Sequence, residues 1–347
     1  MKSIFPLILL LPSLACAQEL VSHDPANRTV LLEEYAAVNC GNCPAAYVVA
    51  GNILGAHPSD VVVVEIHGGG LAIPSGGQPD FRTTAGAALW SQFGVTFQPQ
   101  GMVNRQGLQS ASQWAPAVNN ALTTLSPVNI GMATNFEQGS RLLTVDVELY
   151  YTADGVGDDD RIYVLLTEDH IVGYQQDYVN GPQVNFDHRH VLRSYVTPLA
   201  GDEVVGNTAG TSVVRTYTFT VPEAWNIEQC QAIAFVGEQS VGSAPGVVYQ
   251  VKSVAASGGS TTGIAQRPEA TLGNAFPVPA SDFVTIPSNG AMSGELLRVV
   301  DGAGRVVIQQ RIAPFQGNVT LYVSELANGV YHYGINGQRM KPLVVLH

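Results

Sequence analysis

The stretch that most constrains this chain is Thr29–Ala46, TVLLEEYAAVNCGNCPAA. Val30, Leu31 and Leu32 predict a buried strand, which runs through a short turn into Cys40-Gly41-Asn42-Cys43 at the opening of a helix reaching about Ala56. Unpaired N–H groups and the positive end of the helix dipole stabilise a thiolate there. That lowers the thiol pKa and makes the sulfur a nucleophile. Cys43 lies within one turn of Cys40, close enough to close a disulfide. Three chemistries fit the pair. It can be a redox couple, with Cys40 attacking and Cys43 resolving. It can be a static disulfide bracing the helix start. It can supply two zinc ligands, although a structural site wants two more at similar spacing and the chain has no second CxxC.

The surrounding pattern alternates strand and helix over residues 18–126. Asp60–His67, DVVVVEIH, reads as a second buried strand, consistent with a parallel sheet. Gly68–Pro79 is a glycine-rich loop; Pro74 and Pro79 lie within it and no Lys-Ser/Thr follows, so it is not a phosphate loop. Phe81–Phe93 predicts a helix, Gly94–Pro99 leads into a short strand, and Ser112–Leu125 closes the region as a helix. The region resembles a thioredoxin-like domain. The resemblance is carried by the strand before CxxC, by Glu34 six residues ahead of Cys40, and by Phe93–Gly101, FGVTFQPQG. It implies that Glu34 is a buried carboxylate assisting proton transfer to Cys43, and that Pro99 is a cis-proline facing the dithiol. Glu33 must point the opposite way, so one of the two faces inward, and Glu34 is taken as that one. Asn39 stands where an aromatic residue is usual, and the CGNC interior departs from that of reducing thioredoxins, so the motif leaves the redox direction open.

Residues 127–254 change character. LLTVDVELYYTA, RIYVLLTED, VVRTYTFTV and CQAIAFVGEQ are rich in β-branched and aromatic residues, with turn residues clustered between them. They predict an Ig-like antiparallel β-sandwich. Inside it His188 and His190 form an H-x-H; on a strand both would share a face and could hold one metal ion, with His170 as the nearest third ligand. The alternative is a polar strand satisfied by hydrogen bonds. Arg193 reads as an ion-pair partner and Cys230 as a buried free thiol. LLEEY…CGNCP, PQGMVNR at Pro99–Arg105, EDHIVGYQQ at Glu168–Gln176 and HRHVLR at His188–Arg193 together resemble the Omp-twenty-eight-related outer-membrane family over residues 29–250. That resemblance names a lineage more than a reaction.

Ala255–Thr262 has linker composition, and residues 255–272 are read as the linker. Residues 273–347 resemble the type A C-terminal sorting domain of the type nine secretion system. Phe276-Pro277-Val278-Pro279-Ala280, LLRVVDGAGRVV, Leu326–Tyr331 as L-x-x-G-x-Y, and the apolar end Lys341–His347 carry that resemblance. It implies a small β-sandwich read by the secretion machinery at the outer membrane and then cleaved. At the other end Lys2, the apolar Ile4–Leu14 and Ala15-Cys16-Ala17 read as a signal peptide over residues 1–17. The rival is a lipobox ending at Cys16, with Ser13 where leucine is usual. In an oxidising compartment the remaining pair Cys40 and Cys43 can rest as a disulfide.

With 16 Lys+Arg against 28 Asp+Glu, the net charge of −12 argues against nucleic acid and anionic lipid as partners. No later apolar run is long enough for a spanning helix, and the strand pattern is not that of a porin. The sequence therefore predicts an exported cell-surface or outer-membrane protein with no cofactor. Its partners are the secretion machinery and, in one reading, protein thiols or disulfides. That reading is an extracytoplasmic thiol–disulfide oxidoreductase using Cys40, Cys43, Glu34 and Pro99. The other is a non-enzymatic adhesin or assembly protein with the thioredoxin-like domain as scaffold.

Overall fold

A computed structural model describes residues 20–156, 160–260, 272–287, 296–311, 318–335 and 340–347. The expected signal peptide and most of the expected linker lie outside the described residues. The chain divides into two compact units, Met1–Ile264 and Ala265–His347.

The apolar runs of the first unit become strands covered on both faces. Val30–Ala36 (β1) is buried at every position, and Val61–His67 (β2) pairs with it in parallel, Glu34 opposite Glu65 and Ala36 opposite His67. Gln100–Val103 (β3) joins the other side of β1 antiparallel. Cys43–Ala56 (α1) buries Cys43, Ala46, Ala50 and Ile53, spaced three and four apart on one helix face. Its Pro44 sits in the first turn, where no intrahelical bond is lost. Thr84–Gln92 (α2) begins later than Phe81 because Thr83 caps it, accepting from Gly86 N at 2.9 Å. Ala111–Ala121 (α3) buries Trp114 and Val118. α1 and α3 share a core with Val30, Leu32, Val61 and Val63 on one face of the sheet, while Leu89 of α2 packs with Leu31, Tyr35 and Ile66 on the other.

Beyond Pro127 come Val128–Glu137 (β4), Leu142–Tyr151 (β5), Asp160–Glu168 (β6), Ile171–Gln175 (β7), Gln183–His188 (β8), Val191–Tyr195 (β9), Asp202–Glu203 (β10), Ser212–Thr220 (β11), Cys230–Glu238 (β12), Val248–Ala255 (β13) and Gly259–Ser260 (β14). β5 alternates, burying Leu143, Val145, Val147, Leu149 and Tyr151, as expected for a strand with one solvated face. The order β11-β5-β4-β14 forms one sheet. It packs on the inner residues of β6, β12 and β13, including Val164, Leu166, Ala234 and Val236. Those strands continue into β1–β3 as a single sheet of order β13-β12-β6-β9-β2-β1-β3, with β10 on β6. The boundary expected between residues 126 and 127 thus falls inside one unit. β7 and β8 form a separate antiparallel hairpin.

The large sheet curls until β13 meets the start of β1. Val248 N donates to Asn104 O at 3.1 Å, and the Gln250 side chain accepts from Thr29. Asn104 and Arg105 turn through left-handed backbone at φ 47° and 56° to make this seam. The turn aims Arg105 into the space enclosed by the curled sheet. There Arg105 Nε and Nη2 donate to the two Glu33 oxygens at 2.9 and 2.8 Å, beside the rings of Phe93, Tyr163 and Phe235.

The second unit holds Phe283–Pro287 (β15), Leu296–Val300 (β16), Val306–Arg311 (β17), Asn318–Tyr322 (β18), Gly329–Gly334 (β19) and Lys341–Val345 (β20). β15 pairs with β18, and the others form a sheet of order β17-β16-β19-β20. Both sheets bury alternate residues in one core that includes Val284, Ile286, Val299, Leu321, Tyr333 and Leu343. The Tyr333 hydroxyl ties the start of the unit down, donating to Gly273 O and accepting from Ala275 N, both at 2.8 Å.

Candidate functional site

Cys40 and Cys43 are joined as a disulfide with Cα atoms 5.4 Å apart. The helix opens at Cys43, so Cys40 lies in the preceding turn, where its carbonyl accepts from Cys43 N at 3.2 Å. The pair packs among Ala36, Ala37 and Ala72, and Cys40 is 2% and Cys43 0% exposed.

A thiol–disulfide oxidoreductase needs its dithiol open to an incoming protein, and here it is covered. The loop between β7 and β8 lies across it. Gln175 Nε2 donates to Ala37 O at 3.2 Å and Cys40 O at 3.0 Å. Gln176 N donates to Val38 O at 2.8 Å and Tyr178 N to Gly41 O at 2.9 Å. The Tyr178 ring covers Gly41 so closely that a Cβ there would stand 2.3 Å from a ring carbon. Asp177 shapes this loop, its Oδ1 accepting from Val179 N at 2.7 Å and Asn180 N at 3.0 Å. Asn39 ties the dithiol turn to the glycine-rich loop on the other side. Its Nδ2 donates to Ile73 O at 3.1 Å, and its Oδ1 accepts from Gln78 at 2.9 Å.

Glu34 is buried, its Oε1 has no hydrogen-bond partner, and burial together with the neighbouring Glu65 carboxylate pushes its pKa well above the usual range. Glu33 is buried too, paired with Arg105 on the opposite face. The expectation that only one of the two faces protein fails because helices cover one side of β1 and the curled sheet encloses the other. The Gln98–Pro99 peptide is cis. Pro99 precedes Gln100, the register partner of Tyr35, which places it at the end of β1 from which the dithiol turn departs.

The structure separates the two histidines that could have shared a metal on one strand face. His190 sits at φ 58° with Nδ1 3.1 Å from Asp169, while His170 pairs with Asp187 at 3.1 Å. The left-handed backbone at His190 breaks the strand alternation that would have aligned it with His188. His188 is buried and meets Glu65 and His67 instead. β9 runs beside β2, with Glu65 N donating to His190 O at 2.7 Å, and this brings the end of β8 to the end of β2. His67 Nε2 hydrogen-bonds Glu65 Oε1, and Tyr47 OH donates to the same oxygen at 2.6 Å. Burial pushes Glu65 up, but the His67 ring and these hydrogen bonds outweigh it and hold the carboxyl below its usual value. Burial lowers the His188 imidazole. A pocket of about 100 Å³ lined by Glu34, Tyr47, Glu65, Phe186 and His190 reaches this group. Sequence reading missed Glu65 and His67. The signal was present: two polar residues spaced i, i+2 in an otherwise apolar buried strand must find partners.

Arg193 pairs with Glu168 at 3.3 Å and lies over Trp225. Cys230 is a buried free thiol whose pKa burial pushes up to about 12, which disfavours the thiolate. No helix among the described residues is long and apolar enough to cross a membrane.

Fold and site define a β-rich protein of two units, the first built around a covered disulfide. Residues 86–258 match the family model of outer membrane protein Omp28, and residues 274–344 match the secretion system C-terminal sorting domain. The chain belongs to the Omp28 outer-membrane family and ends in a sorting domain of the type nine secretion system, which places it at the cell surface or outer membrane. Among solved structures, HBP35 of Porphyromonas gingivalis is similar at 15% identity with a TM-score of 0.55, over 92% of this chain and 99% of that one. A domain of the outer membrane lipoprotein Omp28 from the same organism matches at 21% identity with a TM-score of 0.24, over 37% of this chain and 87% of that one. No curated protein matches the chain.

Proposed function

We propose that this chain is a non-enzymatic surface protein, exported by a cleaved signal peptide, in which Cys40–Cys43 is a structural brace. Its first unit joins a thioredoxin-like α/β scaffold to an Ig-like sandwich, and its sorting domain is read by the type nine secretion machinery. The observation that carries this reading is the sealing of the disulfide: both sulfurs are buried, and the loop from β7 to β8 is bonded across the turn that holds them. An attacking thiolate must reach a disulfide sulfur, whereas both cysteines are buried and the Tyr178 ring lies against Gly41 between them in sequence.

A second reading, a thiol–disulfide oxidoreductase whose cover opens on demand, draws on Glu34. A buried carboxyl whose pKa is raised by burial and by Glu65, on the strand that leads into the dithiol, suits proton relay to Cys43. Insulin reduction by the mature chain beside a Cys40→Ser variant separates the two. Equal, negligible rates are expected. A cysteine-dependent rate overturns the brace and favours the oxidoreductase.

A further inference from the structure

Away from the dithiol, the fold brings one carboxylate and two imidazoles together from segments more than a hundred residues apart in sequence. Glu65 and His67 are two apart on β2 and share its face. His188 ends β8. One ligand atom from each residue lies within 4.8 Å of the other two, and all three side chains are buried. We propose that Glu65, His67 and His188 form a binding site for a divalent transition-metal cation of the zinc type.

The donor set suits such an ion. Zinc takes imidazole nitrogen at about 2.0–2.1 Å and carboxylate oxygen at about 2.0–2.2 Å, and two histidines with one glutamate leave a fourth position open. Tetrahedral ligands at those lengths stand about 3.4 Å apart, so atoms already within 4.8 Å close on an ion by small side-chain rotations.

One orphaned ring nitrogen points independently to a ligand. His188 Nδ1 is buried with no hydrogen-bond partner. Such a group is costly to leave unpaired. His188 Nε2 donates to the Tyr174 carbonyl at 3.2 Å, which leaves the lone pair on Nδ1. That is how metal-binding imidazoles are held, one nitrogen bonded outward and the other free for the ion. On the His67 side the cation takes the place of the proton between Nε2 and Glu65, and that proton moves to the unpaired Nδ1 of the same ring. Tyr47 OH orients the Glu65 carboxylate, and the pocket beside it gives the ion a way in. The site ties β2 to the hairpin whose loop covers the disulfide. An occupied site therefore also holds that cover closed, a consequence that rests on the brace reading, whereas binding itself does not.

Cobalt(II) titration of the chelator-treated mature chain, followed by visible absorption, tests the site directly. The expected result is a d–d band saturating at one equivalent and abolished by zinc. His67→Gln and His188→Asn should each weaken binding at least about 100-fold, more than loss of an outer partner costs. His170→Ala, on the exposed side of the hairpin, should leave it unchanged. Absence of a band at tenfold excess of cobalt, or a band that survives both substitutions, overturns the proposal. If circular dichroism shows that either variant is unfolded, X-ray absorption of the zinc-loaded wild type decides. Two imidazoles in the inner coordination sphere support the site, and any set without two imidazoles overturns it.

Discussion

At the scale of single residues, Glu33 and Arg105 show what the curled sheet demands. Both are almost fully buried, and the guanidinium is fully charged because the carboxylate outweighs the burial that opposes it. Removing one partner of such a pair strands the other, at a cost of roughly 3–5 kcal/mol. Arg105→Met should lower stability by about that amount in urea unfolding, while Arg105→Met combined with Glu33→Leu should recover most of it. A double variant no more stable than the single one contradicts the pairing. The CxxC itself and its closed disulfide were legible in the sequence. The role of Glu33 was not, because its partner arrives by a left-handed turn more than seventy residues later, and nothing local announces that turn.

At the scale of elements, the β7–β8 hairpin controls the site. The tract EDHIVGYQQ stood out in the sequence chiefly as a family resemblance, and HRHVLR as that resemblance with a candidate metal pair and an ion-pair arginine. In the fold, Gln175 and Gln176 bond to the dithiol turn, and His188 reaches the end of β2. Periodicity marked the strands, but it carries no information about which distant loop lands on which turn. Asp177 makes the cover pH-sensitive. The Asn180 side chain, followed by the Asn180 and Val179 backbone N–H groups, bonds its carboxylate and lowers its pKa below the usual aspartate value. A depressed folded pKa means that this contribution is complete above the ordinary value of about 3.9. It is lost as pH falls through the folded value. Reduction of the disulfide by a phosphine active in acid should therefore accelerate below about pH 4 in the wild type. Asp177→Asn, which cannot titrate, should lack that acceleration. A wild-type rate flat across the same interval contradicts the assignment.

For the whole molecule, the sorting domain was the most legible part. It is written in short local motifs that can be read without tertiary knowledge. The first unit was harder. Its strand content was visible, but residues on both sides of the expected boundary are joined through the β2–β9 pairing and the Val248–Asn104 bond, which no composition shift marks. The central claim is that this fold seals its disulfide. Four hydrogen bonds hold the cover on the dithiol turn. At about 1 kcal/mol net each, opening the cover costs about 3–4 kcal/mol. The decisive measurement is the rate at which a small thiol reduces Cys40–Cys43 in the intact native chain, set against the same chain unfolded in urea. The account predicts native reduction at least about 100-fold slower. It also predicts that Gly41→Ala, whose methyl group displaces Tyr178, recovers much of the difference. Native and unfolded chains reduced at the same rate would contradict it.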